Sequence, residues 1–465
     1  MSVAAILLLP AGPVTGGAQQ YRARVDASSQ AVSFRGLVAD SIPAGLVVPS
    51  PSGGLQTPDG YAVRCGGGPF CAYMRPGPVL QAVPTVTSAS VTLWGLGVEG
   101  LSFRATGRLL ADLGPDRVWP GTEPAAQLIQ GYFEYQRSSV LARAGRLLVA
   151  SRLEHLGFDG AWVRARWDRS ALEVAGYGGW GLAQASALPV TSPALDPLDE
   201  WRPRDRQIVA GAEASWLHRV ADLRAEYRRE IDPLDNYIVS ERGALSVAAR
   251  VAAIRAAGGV DVNVAEGHVG SADLTLTWLQ PRYSVSAGGR RYRPYFSLWT
   301  LWGAFSPVPY HAVNGSAELR AGDRVALHAR GERYWYDDAE VSTGLVPQLV
   351  DRGWRGSAGA TATAGRGWTF DATVGLERGP GASGRFADAA VNYAPGERYS
   401  VDLYGGTMAR PLELRFYDAT SRWIGGRGEW RITPQRRVWG DLAFVDDQRE
   451  RPDAGASSLT QLRAR

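Results

Sequence analysis

Residues 101–110 read Leu101-Ser-Phe-Arg-Ala-Thr-Gly-Arg-Leu-Leu110. Phe103, Ala105, Gly107 and Leu109 fall at one parity, and Ser102, Arg104, Thr106 and Arg108 fall at the other. Successive side chains of a β-strand point to opposite sides, so this segment builds a ribbon with one apolar face and one wet face. A helix, with its 3.6-residue period, would mix the two sets.

The split recurs along the chain. Leu223, Ala225 and Tyr227 oppose Arg224, Glu226, Arg228 and Glu230; Val325, Leu327, Ala329 and Gly331 oppose His328, Arg330, Glu332 and Tyr334. Trp368, Phe370, Ala372 and Val374 oppose Thr369, Asp371 and Thr373, and Ile424 and Trp430 oppose Arg427, Glu429 and Arg431. Leu141 to Leu148 resists the scheme, because Arg143 and Arg146 fall on opposite faces, and the alanine-rich run Ala248 to Gly259 leaves its register open.

Alternation alone fits a soluble sandwich as well as a membrane barrel. Three features favour the barrel. Aromatic residues sit at strand ends, as in Trp167, Tyr283, Trp368, Tyr399 and Trp439, which suits girdles at two membrane interfaces. Short turns, such as Val98-Glu99-Gly100, Ala321-Gly322-Asp323 and Gly396-Glu397-Arg398, alternate with long polar connections. The apolar faces mix small with large residues, which lipid tolerates better than a packed core does.

Composition agrees. The chain has 465 residues, 45% of them hydrophobic and 21% charged, with 56 glycines, 16 tryptophans and 18 tyrosines. Mean hydropathy is -0.17, too polar for a bundle of membrane helices. After the N-terminus no apolar run reaches the ~18 residues of a spanning helix. All 50 basic residues are arginine, which GC-rich coding would produce, and a net charge of +4 gives no support for a nucleic-acid partner.

The expected fold is therefore all-β, a single transmembrane antiparallel up-and-down barrel of roughly 22 strands (20–24) over residues 19–465, with short periplasmic turns and longer extracellular loops. Its first strand lies near residues 20–36 and its last begins near Leu459. The long loops are expected at 38–83, 113–124, 182–206, 294–308, 337–352 and 408–418, and the first of them could fold inward. Val3 to Leu9, followed by Gly16-Gly17-Ala18, reads as a signal peptide over residues 1–18, without the usual preceding basic residue. The C-terminal Leu-Thr-Gln-Leu-Arg-Ala-Arg covers only the start of a strand and lacks a final aromatic residue, as a shortened closing strand or an incomplete chain would. The expected location is the bacterial outer membrane, with its lipid, lipopolysaccharide and barrel-assembly machinery as partners.

Cys65 and Cys71 stand six apart in a glycine-rich loop with no nearby histidine or second cysteine pair. A disulfide suits an oxidising exterior, free thiols are the alternative, and a metal site would need further ligands. No cofactor is expected. Gly176-Tyr-Gly178-Gly-Trp-Gly181 fits a dinucleotide glycine pattern in spacing only, because no helix follows it. No nucleophile motif accompanies the five histidines, so no catalytic residue is expected, and an enzyme remains the weaker alternative.

Charges on a lipid face are costly, so the polar-parity residues are expected to line the lumen: Arg104, Arg108, Arg146, Arg164, Arg166, Arg224, Glu226, Arg228, Arg290, His328, Arg330, Glu332, Asp371, Arg427, Glu429 and Arg431. Few acids share the face of Arg104, Arg108, Arg164 and Arg166, so that arc is expected to be positive, whereas Arg224 to Glu230 should neutralise itself.

The stretch Arg143-Ala-Gly-Arg146, with Ser151-Arg152-Leu153 and Gly157-Phe158-Asp159-Gly160, resembles a strand-loop-strand unit of porin-like and alginate-export-like outer-membrane barrels. It covers under a tenth of the chain. The resemblance implies a barrel of the channel class with Arg146 pointing into the lumen. Function is accordingly expected to be passage of small polar or anionic solutes. The alternative is a structural sheath around a secreted or electron-transfer partner.

Overall fold

The computed structural model describes residues 20–464 apart from 50–53, 120–123, 183–206, 235, 293–308, 338–351, 380–381, 412–417 and 452–454. The proposed signal segment and most of the expected loops at 182–206, 294–308 and 337–352 lie outside the described residues. Twenty-two strands form one sheet. It starts with Gln20–Ser29, which pairs with Pro84–Trp94; each later strand pairs with its predecessor in sequence, to Gly455–Ala464. All these pairings are antiparallel. At the two ends of the sheet, Asp26 lies within electrostatic reach of Arg437, and the continuation of the first strand lies against the last. The wall thus curls round on itself as a barrel.

The rims differ. Strands are joined at one rim, where both ends of the described chain lie, by turns of two to six residues, including 95–100, 322–324 and 394–398. The opposite rim carries the long connections 30–83, 113–125 and 182–207, but also the short ones 152–153 and 264–267. The connection expected at 408–418 is shorter, because its flanking strands run to Pro411 and resume at Asp418.

The outward parity is apolar across the middle of the wall, with Leu109, Val163, Leu223, Leu274, Phe370, Leu403 and Ile424 all exposed, and turns charged towards the long-loop rim at Arg229, Glu241, Arg291, Arg333 and Arg385. Near the turn-rich rim this face carries Trp167, Trp216, Trp278, Trp368, Tyr399 and Trp430, and near the other rim Trp180 and Trp354. An apolar belt between two aromatic girdles is the surface that a bilayer requires. Trp439 departs from the expected girdle: it points inward, with the Arg427 guanidinium 5.1 Å from its ring centre.

Two stretches depart from a simple wall. The expected loop 38–83 is largely strand: Val32–Pro43 pairs with Phe70–Ala82, continuing the first two wall strands beyond the rim as a projecting arm. The break falls at Gln30, whose N–H donates to the Pro84 carbonyl.

The second departure is the hairpin of Val140–Ser151 and Glu154–Trp167. Its wall pairings stop early, at Arg146 opposite Gly131 on one side and at Phe158 opposite Gly181 on the other. Beyond them the hairpin is paired with itself, and its tip touches strands far round the barrel. Gly145 and Gly160, which face each other across the hairpin, mark the bend. Gly145 has φ +133, and a Cβ there would lie 2.3 Å from the Gly131 carbonyl oxygen; at Gly160 it would lie 2.1 Å from that of Gly178. Only glycine permits such an approach. The awkward parity of Arg143 and Arg146 has this origin.

Candidate functional site: the divided lumen

The inturned hairpin lies along the inner wall. Leu147, Leu156 and Phe158 pack with Tyr132 and Val209, joined by Val149, Trp162 and Tyr177, and Phe158 is fully buried. Its ring stacks on Tyr177 at 5.5 Å. Tyr177, on the glycine-rich wall strand Leu172–Gly181, in turn occupies the space over Gly211, where a side chain would clash with its ring. At the tip, the Arg152 guanidinium donates to Asp273 and, at 3.4 Å, to Ser271, both on His268–Leu279. It fits over Gly259, where a Cβ would lie 2.9 Å from Nη1.

Beneath this cover the inward charges are buried and matched. Arg228 and Arg242 are 3% and 4% exposed and face Glu230 at 3.2 Å and Asp261 at 3.8 Å. Arg224 contacts Glu213 at 2.6 Å and Glu226 at 2.9 Å. Asp261 also accepts from the Ser271 hydroxyl. A buried charge is tolerated only when paired, so each guanidinium here has its carboxylate.

The opposite wall faces open lumen. Glu332 receives both Arg290, at 2.9 Å, and Arg355, at 2.6 Å. Arg330 donates to the Ser357 hydroxyl at 2.9 Å, His328 meets Thr373 at 3.3 Å, and Asp371 accepts from Thr361 at 2.6 Å. Further round, Glu429 lies between Arg427 at 3.9 Å and Arg437 at 3.7 Å, and Arg431 is exposed beside Arg437 in the ladder. Glu332 and Glu429 are each approached by two arginines, but Asp371, Glu377, Asp388, Asp402 and Asp441 share the inward parity, so this wall is a mixture of both signs in which several acids are held by hydroxyls and amides rather than by arginine.

The arc at Arg104, Arg108, Arg164 and Arg166 requires correction. Buried Glu134 binds Arg104 at 3.0 Å and Arg143 at 2.7 Å. Glu173 lies 3.5 Å from Arg164 and 3.6 Å from Arg166, which also reaches Asp168 at 2.7 Å. Arg108 donates to Gln127. The acids lie on neighbouring strands, so reading one strand at a time undercounts them. Arg146 also differs from expectation: it is the last residue of its strand paired with the wall, lies on the parity opposite to Arg143, donates to the Leu128 carbonyl and pairs with Asp159 at 2.8 Å.

Cys65 and Cys71 are disulfide-bonded at the end of the projecting arm's short third strand. Nearby, Asp40 accepts from the Ser41 N–H and the Arg75 guanidinium, which hold its carboxyl below the usual carboxylate range. Among the described residues, no group of three or more metal-ligating side chains converges. Sequence reading missed two pairings, Arg143 with Glu134 and Arg152 with Asp273. The paired Gly145 and Gly160 were the available signal, but two glycines state a bend without its direction.

No family model matches the sequence, and no curated protein is significantly similar to it. Among solved structures, the siderophore receptor PirA from Pseudomonas aeruginosa aligns over 95% of this chain and 79% of its own, with 11% identity and a TM-score of 0.45. A BenF-like porin from Pseudomonas fluorescens Pf-5 aligns over 96% and 97%, at 8% identity and TM-score 0.37. OccK11 (OpdR) of Pseudomonas aeruginosa covers 84% and 96%, at 13% and 0.38. Likeness at this level lends no support to a particular substrate.

Proposed function

We propose that the protein is an outer-membrane channel for small polar or anionic solutes, with its turn-rich rim in the periplasm and the disulfide-bearing arm outside. One observation carries this reading: an outward apolar belt surrounds an inward face lined along one continuous wall by water-exposed charged and hydroxyl side chains. Such a wall can replace part of a solute's hydration, and it offers anions local sites where a guanidinium faces water with a hydroxyl partner, as Arg330 does with Ser357, or shares one carboxylate with a second arginine.

The route runs beside the hairpin, along the wall from Arg290 to Arg437. A sheath around a folded partner is disfavoured by the hairpin, which occupies the space that partner would need. Catalysis is disfavoured by the inward histidine, since His328 meets a threonine rather than a nucleophile-acid array.

The test is conductance of the purified protein in a planar bilayer under a salt gradient. The reading expects discrete steps with a reversal potential on the anion side. Consistently silent bilayers, or cation preference, would refute it.

A further inference from the structure

The hairpin beyond Arg146 and Phe158 has the parts of a gate. It has a bend at one end, a hydrophobic face along its length and a polar attachment at its tip. The bend is the Gly145–Gly160 pair, where the barrel ladders on both flanks end and no side chain stiffens the turn inward. The face is Leu147, Leu156 and Phe158, and beside it the Leu182 N–H donates to the Gly157 carbonyl, the backbone bond that opening must break. The attachment is Arg152, whose guanidinium reaches Asp273 and Ser271 across the strands the hairpin overlies. The Arg152 side chain is 19% exposed and Asp273 42% exposed, so the contact borders water and can exchange for it.

We infer that residues 147–158 form a hinged gate, latched by Arg152 on Asp273, whose release opens the covered half of the lumen to solutes. This rests on the channel reading and concerns its regulation. Release leaves a consistent wall, because Arg146 and Asp159 are partners opposite one another and the flanking ladders are already complete at that level. It also exposes Arg228 and Arg242 with their acids, a charged surface of balanced sign. The open state therefore differs from the latched one in selectivity as well as size: conductance rises while anion preference falls.

The test compares four proteins by single-channel recording: the wild type, Arg152→Ala, a deletion replacing 147–158 by Asn-Gly, and a cross-linked form. The last carries Arg152→Cys and Ser271→Cys in a Cys65→Ser, Cys71→Ser background and is joined by a short bifunctional thiol reagent. The uncross-linked quadruple variant is its control. The gate predicts a low-conductance level in the wild type with excursions to a higher one. Arg152→Ala raises the fraction of time in the higher level about tenfold, as loss of one charge-assisted contact would. The deletion stays at the higher level with weaker anion preference, and cross-linking abolishes the excursions. Equal behaviour of wild type, Arg152→Ala and the cross-linked form, with only the deletion conducting more, would make the hairpin a fixed constriction and overturn the gate while leaving the channel standing. Silence of all forms, the deletion included, would overturn both.

Discussion

Two walls of one lumen, built from the same alternating grammar, treat their arginines differently. Beneath the hairpin, Arg228 and Arg242 are buried and each meets a carboxylate; on the opposite wall, Arg290 and Arg355 share Glu332, while Arg427 and Arg437 share Glu429. Desolvation explains the contrast. A guanidinium withdrawn from water needs its counter-charge, whereas one left wet can go partly unmatched and contribute a field to the lumen. The difference shows that the inturned hairpin, rather than the wall sequence, decides where the lumen's arginines are buried against acids and where they face water.

The largest expected effect falls on the cover itself. Phe158→Ala removes the most buried side chain of the hairpin's packing, a loss of about 3–5 kcal/mol for a fully packed aromatic ring. The hairpin should detach before the wall unfolds, so trypsin should cut the detergent-solubilised variant after Arg152 while sparing the wild type there. Retained resistance would mean that the apolar cluster does not hold the cover. Next, Leu403→Arg places a charge on the lipid face, at a cost of about 2–4 kcal/mol near the midplane. Heat-modifiable folding into lipid vesicles should be impaired, and likewise for Leu109→Arg and Val163→Arg, whereas Thr373→Arg, on the inward parity, should fold. Tolerance of the outward arginines would invert the assigned register.

A smaller effect separates the walls directly. Glu134→Gln leaves Arg104 and Arg143 without their shared, nearly buried carboxylate, at a cost of roughly 2 kcal/mol given that both arginines are partly exposed. Glu429→Gln, where the guanidinium contacts are longer and wetter, should cost under about 1 kcal/mol. Urea unfolding from vesicles compares them, and equal losses would erase the distinction. The smallest effect lies outside the lumen. The Asp40 carboxyl titrates below its ordinary range in the folded arm, so the stabilisation from Ser41 and Arg75 is present above the ordinary carboxylate range and is lost as pH falls through the depressed value. Hydrogen exchange in the arm should be protected alike at neutral and mildly acidic pH and should accelerate in strong acid. Asp40→Asn should remove that acid step, and its persistence would place the titration elsewhere.

Much of the wall was legible because lipid and water impose a period-two code on every strand. Strand number, short turns and the outward placement of Leu109 and Val163 follow from parity alone. Contacts across strands were not legible in that way. Glu134 reaches Arg104 through the register of two hairpins, and Arg152 reaches Asp273 only after the hairpin has folded inward. The arm shows the same limit in milder form, since ladder continuity past Gln30 and Pro84 decides that 32–43 and 70–82 are strands rather than loop. Trp439 was misplaced for a related reason: its position near a strand end suggested the girdle, but parity with Asp441 turns it inward under Arg427.

The central claim is that the arginines of the open wall face water and can meet a passing anion, whereas those beneath the hairpin are buried against their acids. The most direct measurement is the reversal potential of the open channel under a tenfold salt gradient for two triple variants. Replacing Arg330, Arg355 and Arg427 by glutamine should shift it away from the anion side, with a shift that shrinks at high salt as screening takes over. Replacing Arg104, Arg164 and Arg166 should shift it less, because those residues share Glu134, Glu173 and Asp168. Equal shifts, or a larger shift from the second variant, would contradict the division of the lumen.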